Sequence, residues 1–276
     1  MTIKVTPTNT YYGAYVRGVD FSSELSDHVI TEIKNLWAKY QVLVFPDQTL
    51  TCNDLERIIL YFGTYCQDPF IQPIDGYQYV AEVRREKDEV TEIFAEGWHS
   101  DWFHMQIPPK GTALYAVEIP PTGGDTLFSD QYTAYADLPT DLKCIVDNRV
   151  GINSARRGYA PDGRYGVRDI GRSMKLIYSE EAYAIQKHPL YNIHPDTGRK
   201  VINCNRGYTM GIEGMGPEES MPILLKIFQH QGNEKYVYRH RWNINDLVLW
   251  DNRCTLHKAT GNYEGHRRIM HRVTIG

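Results

Sequence analysis

No apolar run in the 276 residues approaches the roughly 18 that a membrane span requires. The N-terminus, Met-Thr-Ile-Lys-Val-Thr-Pro, has no apolar signal-peptide core. Cysteine is sparse: Cys52, Cys66, Cys144, Cys204 and Cys254 are scattered, odd in number and never spaced as CxxC. Such a set argues against a disulfide framework or a thiolate metal site, and for reduced thiols in a cytoplasmic protein. An excess of charge of one sign is also missing. Lys and Arg number 30 against 34 Asp and Glu, and no basic stripe stands out. Nucleic acid and anionic membranes are therefore not expected as main partners, which leaves a small molecule. There is no repeat and no low-complexity linker, so one domain over residues 1–276 is expected. Self-association into a homo-oligomer stays open.

What is present is a core-forming chain with local signals for short strands and a few helices. Val29, Ile30, Ile33, Leu36 and Trp37 recur at helical spacing, which predicts a helix over Asp27–Tyr40 with Ser26 as its N-cap. Gln41-Val-Leu-Val-Phe45, closed by Pro46, reads as a buried strand. A second helix is expected over Asn53–Phe62, stopped by Gly63. Thr112–Ile119 is β-rich and runs into the turn Pro120-Pro-Thr-Gly-Gly124. Ser154–Asp169 has no periodicity and reads as a loop, a candidate lid. A helix is expected over Glu218–Gln231, with Pro222 hinting at a later start. Asp246–Trp250 and Arg267–Ile275 read as closing strands. Many short strands with a few helices imply a mainly β protein with flanking helices, a sandwich or jelly roll.

The candidate chemistry centres on Trp98-His99-Ser100-Asp101, with His257 far downstream. On a strand, His99 and Asp101 would share a face. Two histidines and one carboxylate that leave adjacent positions open form the facial triad of non-haem iron(II) oxygenases. The same donors can also hold zinc with an open water position, as in a hydrolase. A non-catalytic binding protein is the third class. HxD by itself is a weak signal, because ten histidines make chance matches common. Further motifs add weight. Gly123-Gly124-Asp125-Thr126 follows a strand, Trp250-Asp251-Asn252-Arg253 precedes His257, and Arg268 and Arg272 share one face of the last strand. Planar guanidinium forks on an inward face suit carboxylate binding.

With these motifs in that order, the sequence resembles the taurine dioxygenase and 2,4-dichlorophenoxyacetate dioxygenase family of iron(II)/2-oxoglutarate enzymes, over nearly the whole chain. The resemblance implies a double-stranded β-helix and a reaction that couples 2-oxoglutarate and molecular oxygen to substrate oxidation. It implies His99, Asp101 and His257 as the catalytic iron ligands. Arg268, with Thr126, would bind the distal carboxylate of 2-oxoglutarate, and Arg272 would reach the keto acid, a substrate anion or both. Tyr208 matches an aromatic position lining the substrate pocket. The carboxylate Asp101 favours hydroxylation or desaturation over halogenation, which would need that coordination position vacant.

The substrate is the least legible part. Phe94 and Trp102, flanking the HxD motif, suggest an aromatic-walled pocket, and Arg157 of the lid region, with Arg156 and Tyr159, is a candidate contact. This surround is similar to family members of secondary metabolism, including those oxidising isonitrile derivatives of aromatic amino acids. Taurine itself is not expected. Where the taurine-oxidising member places sulfonate donors, this chain reads Phe70, Pro73 and Ala95, whose side chains donate nothing. His104, His188, His194, His266 and His271 read as structural, and the alternating charge run Arg84–Glu89 reads as a solvated loop.

Overall fold

The structure is a computed structural model that describes residues 2–8, 10–168 and 170–276. Asp169, the end of the expected lid, lies outside the described residues.

The larger sheet runs in the order Lys4–Pro7, Ala14–Arg17, Val42–Phe45, Leu247–Asp251, Gly111–Glu118, Arg268–Ile275 and Tyr65–Cys66, with Val80–Arg85 also paired to Arg268–Ile275. Its pairs are antiparallel except Ala14–Arg17 with Val42–Phe45. A second antiparallel sheet has Thr126–Asp130 between Val237–His240 and Thr255–Ala259. Alternation gives each strand of the larger sheet two jobs. Val42, Val44, Leu114, Val248, Trp250 and Met270 pack toward Phe128 and Tyr238 of the smaller sheet. Leu43, Phe45, Ala113, Leu249, Val273 and Ile275 pack on the other side against Ile33, Trp37, Leu55, Ile58 and Phe62 of the N-terminal helices. The result is the expected mainly β jelly roll with flanking helices. The last strand turns Arg268 and Arg272 inward with Met270.

The helices Asp27–Tyr40 and Cys52–Phe62 form where the periodicity places them. Ser26 caps the first, and Thr51 and Asp54 form a reciprocal capping box on the second. Gly63 ends that helix for lack of space rather than for a left-handed turn. A Cβ there would lie 2.2 Å from the Gly276 carbonyl oxygen.

Three local expectations are corrected. The HxD segment is not a strand: His99 makes one isolated bridge to His257, and Asp101 begins a turn in which Trp102 has φ 45°. Ser154–Asp169 is not a plain loop, because Arg156–Tyr159 and Arg164–Arg168 are short helices. Tyr159 anchors them by stacking on Phe70, centroids 4.9 Å apart. The late helix starts early, at Pro217, and carries Pro222 inside it. That proline forfeits one hydrogen bond in the second turn, and burial of Leu224, Ile227 and Phe228 outweighs the loss.

Candidate metal centre and substrate cavities

Backbone pairing, not strand alternation, brings the ligands together. His99 N–H donates to the His257 carbonyl at 3.1 Å, and His257 N–H donates back to the His99 carbonyl at 2.8 Å. This mutual pair joins residues 158 positions apart and sets their imidazoles side by side, with ring centroids at 4.2 Å. The turn after Ser100 then folds Asp101 back, so that its Oδ1 lies 3.7 Å from His99 Nε2 and 3.6 Å from His257 Nε2. One ligand atom from each of the three lies within 4.8 Å of the others.

Each ligand is held in a metal-competent state. His99 Nδ1 sits 2.8 Å from the Gly97 carbonyl oxygen. Only an N–H suits that contact, so the proton is assigned to Nδ1 and Nε2 keeps its lone pair. Burial lowers the pKa of His99, and takes that of His257 down to about 3 against the pull of Asp101. Both imidazoles are therefore neutral at pH 7. Burial would raise the Asp101 pKa, but Arg272, His257 and His99 outweigh it and hold the carboxyl well below its ordinary range. Thr112 Oγ1 donates to Asp101 Oδ2 at 2.6 Å. Asn252 Nδ2 donates to Thr112 Oγ1 at 2.9 Å, while Asn252 Oδ1 accepts from Trp250 Nε1 at 3.0 Å. The Trp250-Asp-Asn-Arg motif thus orients a ligand it does not touch in sequence. Its Asp251 serves elsewhere, tied to Arg253 and to His194 Nε2 at 3.0 Å.

A second buried set, His194, Asp251 and Cys254, has metal-like spacing. Arg253 and His194 already occupy its carboxylate, and burial first, then Asp251, keeps the Cys254 thiol protonated. It is a structural cluster.

Behind His257 lies a cavity of about 60 Å³ whose walls include Thr126, Trp250, His257, Arg268, Arg272 and Phe94. Arg268 is 6% exposed, its Nε has no hydrogen-bond partner, and no carboxylate pairs with it among the described residues. Thr126 Oγ1 accepts from Trp242 Nε1 at 3.0 Å, which leaves its own hydroxyl proton free. A buried, unpaired guanidinium beside a hydroxyl and the ligand triad fits a carboxylate-bearing chelator of the metal. The Gly123-Gly124 turn makes the room. Gly124 has φ +65° and a Cβ there would sit 3.1 Å from Arg268 Cδ, while at Gly123 (φ +74°) it would sit 2.2 Å from the Asn262 carbonyl.

Arg272 lines the same cavity but is engaged. Its Nη1 donates to Asp101 Oδ1 at 2.9 Å, its Nε to Asp68 Oδ2 at 3.1 Å and its Nη2 to Asp68 Oδ1 at 3.3 Å. Asp68 also accepts from Thr274 Oγ1 at 2.7 Å and from the Trp102 indole. Trp102 is therefore placed away from the role expected of it: 1% exposed, it lines neither cavity and braces Asp68.

On the other side of His99 a larger cavity, about 410 Å³, is lined by Ala95, Tyr159, Tyr208, Met221, Leu225 and Phe228, with Arg157 and Arg206 among its polar residues. Tyr208 stacks on His104, centroids at 5.2 Å, and burial lowers the His104 pKa to about 4, leaving it a neutral plate. Phe94 lines the smaller cavity and packs 5.5 Å from Tyr165. Sequence reasoning missed Asp68, Thr112 and Arg206, since none belongs to a motif. Phe70 and Ala95, expected to withhold sulfonate donors, sit in the aromatic cluster and at the cavity wall respectively.

Comparison with known proteins agrees with this geometry. The profile of the family described as "Taurine catabolism dioxygenase TauD, TfdA family" matches residues 4–274. An (S)-phenoxypropionate/alpha-ketoglutarate-dioxygenase of Sphingobium herbicidovorans is 31% identical over 96% of this chain and 92% of its own. An alpha-ketoglutarate-dependent 2,4-dichlorophenoxyacetate dioxygenase of Cupriavidus pinatubonensis is 31% identical over 99% and 98%. Among solved structures, a taurine dioxygenase from Burkholderia xenovorans superposes with TM-score 0.80 at 26% identity, covering 99% of this chain and 89% of that one. The chain belongs to the TauD/TfdA family and is an iron(II)- and 2-oxoglutarate-dependent dioxygenase that consumes molecular oxygen.

Proposed function

We propose that this enzyme hydroxylates or desaturates a small organic acid with an aromatic or apolar body, on a single domain working in the cytoplasm. In this reading His99, Asp101 and His257 hold the iron, and Arg268 with Thr126 binds the distal carboxylate of 2-oxoglutarate. The substrate lies in the larger cavity against Tyr208, with Arg157 at its side and Phe94 near the junction of the two cavities. When bound, the iron and keto acid supply the oxidising power. The residues of this chain exclude water, fix the orientation of both organic molecules and keep Asp101 ionised beside Arg272.

The observation that carries the reading is Arg268, a buried cation that no carboxylate pairs among the described residues, whereas the equally buried Arg272 beside it is paired. A zinc hydrolase would leave that cation without a use. The aromatic lining from Tyr159, Tyr165, Tyr208 and Phe228 supports an aromatic amino-acid-derived metabolite, an isonitrile among the candidates. The test has two steps. Anaerobic addition of iron(II) and 2-oxoglutarate should produce a visible charge-transfer band. Succinate release should then be stimulated by aryl carboxylates and amino-acid derivatives more than by taurine or alkyl sulfonates. Taurine-driven turnover exceeding every carboxylate would overturn this account of the pocket.

A further inference from the structure

Of the arginines that line the two cavities beside the metal ligands, Arg157, Arg164, Arg206 and Arg272 are divided sharply by what pairs with them. Arg164 is neutralised by Glu92 and Glu96 at the rim. Arg272 is closed between Asp68 and Asp101. Arg157 and Arg206 both line the larger cavity, and neither has a carboxylate partner among the described residues. Arg157 is anchored by donating Nη1 to two carbonyls, Arg206 O at 3.4 Å and Thr209 O at 3.3 Å.

We propose that Asp68 withdraws Arg272 from substrate recognition, and that the substrate's anionic group is held at the cavity mouth by Arg157 and Arg206, so that the molecule enters with its uncharged end toward His99. This rests on the larger cavity being the substrate cavity and names the class and orientation of what it takes: an amphiphilic monoanion.

The lock on Arg272 is chemical as well as steric. Its guanidinium makes four donor contacts, three to carboxylates and one to Thr274 Oγ1 at 3.3 Å. An anion arriving next to the iron would have to displace Asp68, which Thr274 and Trp102 hold in place, and strand that buried carboxylate without its cation. Asp68 and Asp101 together already balance the single charge of Arg272, so that guanidinium has no uncompensated charge to offer a further anion. At the mouth the balance is reversed. Two cations face one cavity with no acid between them, and beside Arg206 the pKa of Arg157 is lowered, chiefly by burial and then by that neighbouring charge. A carboxylate, sulfate or phosphate monoester group there would relieve the repulsion. The rest of the lining is largely apolar, with Tyr159, Met221, Leu225 and Phe228. A body of that kind is desolvated favourably, whereas a charge at its inner end is not.

The test uses 6-phenylhexanoate and its neutral amide as probes of the enzyme loaded anaerobically with iron(II) and 2-oxoglutarate, read by calorimetry and by the charge-transfer band. In the Arg157→Gln/Arg206→Gln protein the carboxylate should bind about tenfold more weakly or worse, and the amide should change by less than about twofold. Binding of the carboxylate to the wild type should also shift the band, because the phenyl end reaches the metal. Equal carboxylate affinity in wild type and double variant would overturn the mouth site. Arginine-dependent binding that leaves the band untouched would place that site off the substrate's path and overturn the orientation. Methanesulfonate tests the lock: it should leave the wild-type band unchanged and perturb that of Asp68→Asn. Perturbation already in the wild type, or in neither protein, would overturn the part assigned to Asp68. Should no band form in the wild type before any probe is added, the iron and 2-oxoglutarate assignment itself falls, and the calorimetric arm still decides whether the mouth binds the anion.

Discussion

Arg268 and Arg272 lie four residues apart on the same face of the same strand, equally buried, yet one is free and the other is locked. At the Arg268 end the neighbours are Thr126, a glycine turn and a cavity, and no anion pairs with the guanidinium among the described residues. At the Arg272 end two carboxylates close on the cation, Asp101 from the metal centre and Asp68 from a distant segment. On the function proposed above, identical side chains on one strand thus become a receptor and a strut. The difference lies in what other segments bring to each end.

The comparison breaks most completely at Asp101, which belongs to both the metal and the strut. Asp101→Ala, like His99→Ala or His257→Ala, should weaken iron binding by more than about 100-fold, read as retained iron after anaerobic loading and desalting, with succinate release lost in parallel. Next comes the strut. Arg272→Met strands Asp68 and Asp101 and should lower the unfolding free energy of the metal-free protein by about 3–5 kcal/mol in urea titrations. Arg268→Met should leave that stability unchanged or raised, because it abandons no buried partner. A large loss for Arg268→Met would mean that an anion was paired with it after all.

The receptor end is sharpened by ligand dependence. Losing the cation partner of a buried carboxylate costs about 2–5 kcal/mol, so Arg268→Ala should raise the 2-oxoglutarate requirement by about 30-fold or more. Arg268→Lys should also be impaired, since an ammonium lacks the planar fork.

A pH dependence follows from the buried histidines whose pKa values burial lowers, His257 and His104 among them. His257 has a pKa of about 3 and His104 of about 4, both lowered by burial from the ordinary value near 6.5. The unfolded chain therefore binds more protons in this window, and stability must fall as the pH drops from about 6.5 toward about 4. Each histidine contributes up to about 1.4 kcal/mol per pH unit. His104→Phe should lower that slope by up to about 1.4 kcal/mol per pH unit in metal-free urea titrations across the window, and an unchanged slope would mean that His104 is already charged. The smallest effect is expected for Thr126→Val, which removes one hydroxyl donor worth about 1 kcal/mol and should weaken 2-oxoglutarate binding about fivefold.

Much of this was legible along the chain. The period of Asp27–Tyr40 and the cap at Ser26 are local properties, and they form as the pattern predicts. The inward face of Arg268 and Arg272 follows from strand alternation alone. The ordered motifs Gly-Gly-Asp-Thr126, Trp250-Asp-Asn-Arg and His257 identified the family, because their spacing reflects the whole fold. The HxD segment shows the limit. Its residues were the right ones to examine, yet they converge through a single backbone bridge and a turn rather than through a strand, since His257 supplies the pairing that fixes His99. Trp102, adjacent to the motif, looked like a pocket wall and is instead a brace for Asp68.

The sequence by itself determined the element types, the inward cations and the identity of the candidate ligands, because propensity, alternation and motif order act over a few residues or are recorded in their order. Tertiary structure alone decided that Asp68 meets Arg272 across 204 positions, that Arg268 meets no anion among the described residues, and that Arg157 and Arg206 line the same cavity. Charge pairing depends on separation in space, and over such chain distances only the folded sheets set that separation.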